Sequence, residues 1–231
     1  MLCTPALFQT SSQALRSNMN LLKFSKLPIL SILRGVEKQH LERTVQTTID
    51  AGIPALEITL NTNNALELIT LASSRFSGRI SIGAGTVLRL ADAKEAIKAG
   101  AEFIVSPNFN PEIAKFAKDK GLAFFPGALT PSEVYTAWEA GATMVKIFPA
   151  QVFGPKYLKE LKGPFEKIKL MAVSGVKPEN IKEYFDNGAD AVAIGASVYK
   201  QEWIERGEFD KIKELIRKYV ENYSGWTGSQ S

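Results

Sequence analysis

From Leu27 onward the chain alternates short apolar or β-branched runs with longer stretches in which apolar positions recur at helical spacing. The short runs predict eight strands: Leu27–Arg34, Ala55–Leu60, Ile80–Val87, Phe103–Pro107, Ala123–Ala128, Met144–Pro149, Lys169–Gly175 and Ala191–Ser197. Between them, Gly52, Gly78, Gly100, Gly121, Gly141, Gly163 and Gly188 recur at intervals of 26, 22, 21, 20, 22 and 25 residues. Five of these glycines close the phrases DAG, KAG, DKG, EAG and DNG, which fits the residue just past a helix end. Thr130-Pro131-Ser132-Glu133 reads as a capping box with proline at the first helical position, and Asn110-Pro111 and Asn64-Ala65-Leu66-Glu67 read as further helix starts.

Strands separated by helices are parallel, because a hairpin cannot connect across a helix. A doubly wound open sheet shares this alternation, but eight near-equal units without a long insertion favour a closed α/β barrel of the (β/α)8, or TIM, type. No domain boundary is visible, so residues 21–231 are expected to form one barrel with a C-terminal helix. Residues 1–20 lack acidic side chains and are rich in Ser and Thr; they are expected to form a loosely ordered extension. A transit peptide shares that composition, but Arg16 is its only arginine.

Composition narrows the chemistry. The 231 residues carry 28 basic and 24 acidic side chains, a net charge of +4 with no long basic tract, which argues against a nucleic-acid partner and suits a small anion. No run is long and apolar enough to span a membrane, and no secretory signal is evident, so a cytoplasmic location is expected. Cys3 is the sole cysteine and His40 the sole histidine. An internal disulfide and a zinc site of clustered His and Cys are thereby excluded. No metal or other cofactor is expected. Acid-base and nucleophilic work falls to Lys, Glu, Asp, Tyr or water.

In a barrel of this kind the ligand site lies at the C-terminal strand ends. Two ionisable residues stand inside apolar strands there: Lys146 in Met144–Pro149 and Glu57 in Leu56-Glu57-Ile58-Thr59. Strand alternation puts Lys146 on the face of Met144 and Phe148, and Glu57 on that of Thr59. The second and sixth strands lie opposite each other, so both side chains can reach one small molecule near the axis. A Lys–Glu pair that only neutralises itself in the core is the structural alternative. A free lysine amine is a nucleophile toward ketones, yet at an ordinary pKa only ~0.04% is neutral at pH 7. Apolar walls and a neighbouring cation lower that pKa and permit a Schiff base. Glu57 would then move protons, while Arg34 and the Thr86 hydroxyl would hold a carboxylate.

The last two predicted strands end in Ser174-Gly175 and Gly195-Ala196-Ser197. Glycines there let backbone approach a ligand, and the loops after strands seven and eight of such barrels commonly bind phosphate. They are also ordinary turn residues. With Lys146 in the barrel mouth, they describe a phosphorylated keto-acid lying across the barrel.

These segments resemble the class I aldolases of 2-keto-3-deoxy-6-phosphogluconate and its galactonate epimer, a family that includes 4-hydroxy-2-oxoglutarate aldolase. The resemblance runs from about Leu27 to Lys200 through LEITLNT (56–62), GAGTV (83–87), FIVSPN (103–108), FFPGALTPSE (124–133), VKIFPA (145–150), FGPKYLKEL (153–161) and VSGVKPENI (173–181). It implies that Lys146 is the Schiff-base lysine and Glu57 the proton-transfer glutamate. It also implies that Arg34 and Thr86 contact substrate, as in galactonate-type members, and that the assembly is a homotrimer. Two departures stand out. Asn61 occupies the position of an arginine in gluconate-type members, and Ser174 replaces the first glycine of a Gly-Gly pair. The expected reaction is cleavage of a 2-keto-3-deoxy-6-phospho sugar acid to pyruvate and glyceraldehyde 3-phosphate. The alternatives are 4-hydroxy-2-oxoglutarate cleavage to pyruvate and glyoxylate, or a barrel that binds sugar phosphates without turnover.

Overall fold

A computed structural model describes residues 18–224. Nine parallel strands form one sheet: β1 (Ile29–Leu33), β2 (Ala55–Thr59), β3 (Ser81–Gly85), β4 (Phe103–Val105), β5 (Ala123–Phe125), β6 (Gly127–Ala128), β7 (Val145–Ile147), β8 (Leu170–Val173) and β9 (Ala191–Ile194). Their order is β5-β4-β3-β2-β1-β9-β8-β7-β6. The two terminal strands of that order are separated in the chain by Pro126 alone. Proline has no N–H to give to a ladder, so the expected single strand Ala123–Ala128 becomes two, and the strand count is nine rather than eight. Hydrogen bonding continues on both sides of this segment: the Ser106 N–H donates to the Phe125 carbonyl at 3.1 Å, and the Lys146 N–H to that of Pro126 at 2.8 Å. The result is a parallel near-barrel.

Alternation along each strand sorts side chains into two layers. Ile29, Leu33, Leu56, Ile58, Val145, Ile147, Val192 and Ile194 pack outward against helices. Leu30, Phe103, Val105, Phe125, Met144 and Met171 form a second cluster that fills the interior. Lys146 lies between the outward Val145 and Ile147, and Glu57 between the outward Leu56 and Ile58, so both face the interior. In the strand order β2 and β7 are four places apart.

Helices α1 (Leu21–Lys26), α2 (Lys38–Asp50), α3 (Ala65–Arg75), α4 (Leu90–Lys98), α5 (Pro111–Lys120), α6 (Pro131–Glu139), α7 (Lys156–Lys162), α8 (Ile181–Asp186), α9 (Gln201–Glu205) and α10 (Phe209–Ser224) lie outside the strands or at their ends. The predicted signals hold at most helix ends. Thr130 and Glu133 form a reciprocal capping box, and the Asn110 side chain accepts from the N–H groups of Glu112 and Ile113. Two expectations fail. Asn64 precedes α3 in a left-handed conformation without a side-chain cap bond, and Gly163 stays in the right-handed region at φ −50°. The other six spacing glycines have φ between +63° and +104°.

Of the expected N-terminal extension, residues 1–17 lie outside the described residues; of its last three, Asn18 and Asn20 are exposed and make hydrogen bonds to the barrel or to α1, and only Met19 is packed. Met19 is buried, and the Asn20 backbone N–H donates to the Ser81 hydroxyl at the start of β3. Asn20 also caps α1 by accepting from the Lys23 N–H at 2.8 Å. The capped helix seats Phe24 edge-on against Phe125 at the N-terminal end of the strands, with ring centroids 6.2 Å apart. Burying such a ring contributes on the order of 2–3 kcal/mol, which offsets the weak propensity of a six-residue helix. No described helix is long and apolar enough to cross a membrane.

Candidate active site

Glu57 and Lys146 are two of very few charged side chains inside the sheet, 1% and 6% exposed respectively. Room for Glu57 comes from the neighbouring strand, where Gly85 lacks the Cβ that would collide with its carboxyl. Burial raises the Glu57 pKa from 4.5 to about 7, against the opposing pull of Lys146 and Arg34. Its Oε2 atom has no hydrogen-bond partner. Lys146 is displaced the other way: burial lowers its pKa, the Arg34 charge adds to that, and Glu57 counters it. The Lys146 ammonium nitrogen also lies 4.9 Å from the centroid of the Phe148 ring. A carboxyl group poised near neutrality therefore shares the interior with an amine that releases its proton more easily than a surface lysine.

A cavity of about 600 Å³ opens at the C-terminal strand ends; Glu57 and Lys146 do not line it, but Arg34, whose charge acts on both, and Phe148, whose ring meets the Lys146 amine, do. Arg34, just past β1, and Phe148, just past β7, line it. The adjoining wall is built from Ser174 and Gly175 after β8 and from Gly195, Ala196 and Ser197 after β9. Ser174 and Gly175 have φ of +83° and +80°. A side chain on Gly175 would strike Gln151, which lines the cavity as well, while a Cβ on Gly195 would stand 3.0 Å from that of Ile32. The backbone bends sharply here and is closely packed.

The structure thus brings together most of the predicted site residues. Lys146, Glu57 and Thr86 are not part of the cavity wall; Thr86 is half-buried one residue beyond β3, next to the Gly85 that abuts Glu57, at φ +55°. His40 sits on α2 beside Gln39, away from the cavity. Sequence reasoning passed over Gln151, Lys177 and Lys200, polar residues that also line the cavity. They fall in loops, where periodicity carries no signal, and only the fold places them at one mouth. Among the described residues, no group of three or more His, Cys, Asp or Glu side chains is arranged to hold a metal.

A parallel α/β near-barrel with a buried, electrostatically perturbed lysine and glutamate at its mouth defines the setting for amine-based carbonyl chemistry. The chain belongs to the family described as KDPG and KHG aldolases, which it matches over residues 21–215. It is an aldolase, a lyase of the class I, Schiff-base kind. It is 37% identical over 177 residues to 2-dehydro-3-deoxy-6-phosphogalactonate aldolase of Escherichia coli K12, covering 76% of this chain and 86% of that protein. A solved native KDPGal structure superposes with a TM-score of 0.82 at 34% identity, covering 86% of this chain and 95% of the other. A KDPG aldolase from Legionella pneumophila, with pyruvate captured as a covalent carbinolamine, superposes with a TM-score of 0.78 at 26% identity, covering 84% and 95%.

Proposed function

We propose that this chain reversibly cleaves a 2-keto-3-deoxy-6-phospho sugar acid to pyruvate and glyceraldehyde 3-phosphate. The observation that carries the proposal is the buried Lys146–Glu57 pair, joined through Arg34 and Phe148 to a cavity walled by two glycine-bearing loops. In its neutral form the Lys146 amine attacks the C2 ketone to give a carbinolamine. Glu57 donates the proton with which water leaves, and the iminium forms. As a carboxylate, Glu57 then takes the C4 hydroxyl proton, directly or through water. The electrons of the C3–C4 bond pass into the iminium, releasing the aldehyde and leaving an enamine on Lys146. Protonation at C3 and hydrolysis of the iminium release pyruvate and restore the amine. A carboxyl pKa of about 7 suits a group that must give and take protons near neutral pH.

Arg34 is assigned to the substrate carboxylate through charge-assisted hydrogen bonds. The Thr86 hydroxyl is assigned to the same carboxylate. Ser174, Gly175, Gly195, Ala196 and Ser197 are assigned to the phosphate, which they would meet with backbone N–H groups and two hydroxyls. Taken as one strand interrupted at Pro126, residues 123–128 make the sheet an eightfold closed (β/α)8 barrel. We further assign a homotrimeric assembly, as the resemblance implies, and a cytoplasmic location, as expected from the sequence. The similarity to the galactonate-type relative and the Asn61 position favour the galactonate-type epimer.

The test is release of pyruvate, coupled to lactate dehydrogenase, from the two phosphorylated epimers and from 4-hydroxy-2-oxoglutarate. Higher kcat/KM on the phosphorylated substrates is expected. A preference for 4-hydroxy-2-oxoglutarate would move the assignment to the phosphate-independent reaction, and no turnover of any would leave a binding barrel.

A further inference from the structure

The two loops assigned to the phosphate are held by the buried hydroxyls of Tyr199, which also lines the cavity, and Tyr219, which does not; no catalytic step uses either. Tyr219 on α10 is 1% exposed, and its hydroxyl donates to the Val176 carbonyl at 3.0 Å, in the loop after β8. The same hydroxyl lies 3.5 Å from the Ser197 hydroxyl, in the loop after β9. Asn222, three residues further along α10, donates to the Pro178 carbonyl at 2.7 Å. The C-terminal helix therefore grips one loop and touches the other.

Tyr199 secures the second loop from a different side. It closes the turn that begins at Gly195, since its backbone N–H donates to the Gly195 carbonyl at 3.0 Å. Its side chain is 5% exposed, and its hydroxyl donates to Ser31 Oγ at 2.8 Å and pairs with Thr48 Oγ1 at 2.8 Å. Ser31 is fully buried on the helix-facing side of β1, three residues before Arg34. One hydroxyl thus links the loop after β9 to the strand that carries the carboxylate-binding arginine and to α2.

We infer that Tyr199 and Tyr219 are positioning residues, Tyr199 fixing the loop after β9 against the strand that leads to Arg34 and Tyr219 fixing the two loops against each other, and that together they select for substrates that carry a terminal phosphate. This inference rests on the assignment of the loops to phosphate given above. Loosening a loop by one hydrogen bond costs most for the ligand that must meet several backbone donors at once. A short keto-acid bound at Arg34 and Lys146 makes no demand on the loops.

The test uses Tyr199→Phe and Tyr219→Phe, each of which removes one oxygen and keeps the ring, with Ser31→Ala as a variant that lies outside the cavity. For each, KM of the phosphorylated substrate is expected to rise about five- to tenfold with kcat little changed, while KM for 4-hydroxy-2-oxoglutarate shifts less than about twofold. The Kd for inorganic phosphate, measured by calorimetry, is expected to weaken by a similar factor. Equal losses on both substrates, or unchanged phosphate affinity in all three variants, would overturn the inference. The phosphate measurement is independent of Lys146. A wild-type protein that binds phosphate but forms no pyruvate adduct would contradict the proposed chemistry and leave the brace standing.

Discussion

Glu57 on β2 fills the space that Gly85 leaves on β3: a Cβ on Gly85 would collide with Glu57 Oε1 and crowd its Cδ. The glycine is therefore part of the proton-transfer machinery without touching a substrate. Gly85→Ala is expected to push the carboxyl out of place and lower kcat at least about tenfold, part of the ~10²–10⁴-fold that a general acid-base group supplies. Gly85 does not have the positive φ that would bar alanine, so the fold should persist. Steady-state kinetics beside a far-UV spectrum checks both halves; wild-type kcat would mean that Glu57 tolerates displacement.

Glu57→Gln keeps the shape and removes the titration. Turnover is expected to fall ~10²–10⁴-fold. Stability should also change with pH in a defined direction. Because burial raises the folded pKa of Glu57 from 4.5 to about 7, the native state holds this proton where the unfolded chain has lost it. The stabilisation is fully present below pH 4.5 and is lost as pH rises through 7, by on the order of 3 kcal/mol. Denaturant melts of wild type and Glu57→Gln from pH 4.5 to 8 should diverge accordingly, the variant losing that part of the slope. Parallel pH profiles would place the perturbed proton elsewhere.

Both ionisable residues were legible in the sequence because strand alternation is simple: a charged residue between Val145 and Ile147, or between Leu56 and Ile58, faces the strands' other layer. Helix ends were legible wherever a glycine or capping residue acts locally, as at Gly121 and Thr130. What escaped depends on distant partners. The segment Leu21–Lys26 is too short to announce a helix, and becomes one because Asn20 caps it and Phe24 meets Phe125. The break at Pro126 was visible as a residue, but its effect on the ladder appears only when β7 is alongside. Tyr199 and Ser31 are 168 positions apart, and nothing in either local sequence points to the other.

Ser174 combines a side chain with φ +83°, a conformation that costs a non-glycine residue about 1–2 kcal/mol. Ser174→Gly should relieve this and raise Tm by ~2–4 °C for a chain of this size. If the hydroxyl meets the phosphate as assigned, the same variant should lose severalfold in kcat/KM on the phosphorylated substrate. Thermal melts paired with kinetics separate the two effects. A gain in both would mean that Ser174 obstructs the site.

Lys146 as the covalent nucleophile is the centre of the proposed chemistry, and trapping of its imine measures that directly. The protein is incubated with pyruvate and sodium borohydride, digested, and analysed by mass spectrometry. One adduct per chain is expected, on the peptide that contains Val145-Lys146-Ile147-Phe148, because burial lowers the pKa of Lys146. Lys146→Arg keeps a positive charge but cannot form the imine, and should abolish both adduct and turnover while the far-UV spectrum is unchanged. A labelled peptide elsewhere, or an active Lys146→Arg protein, would contradict the assignment.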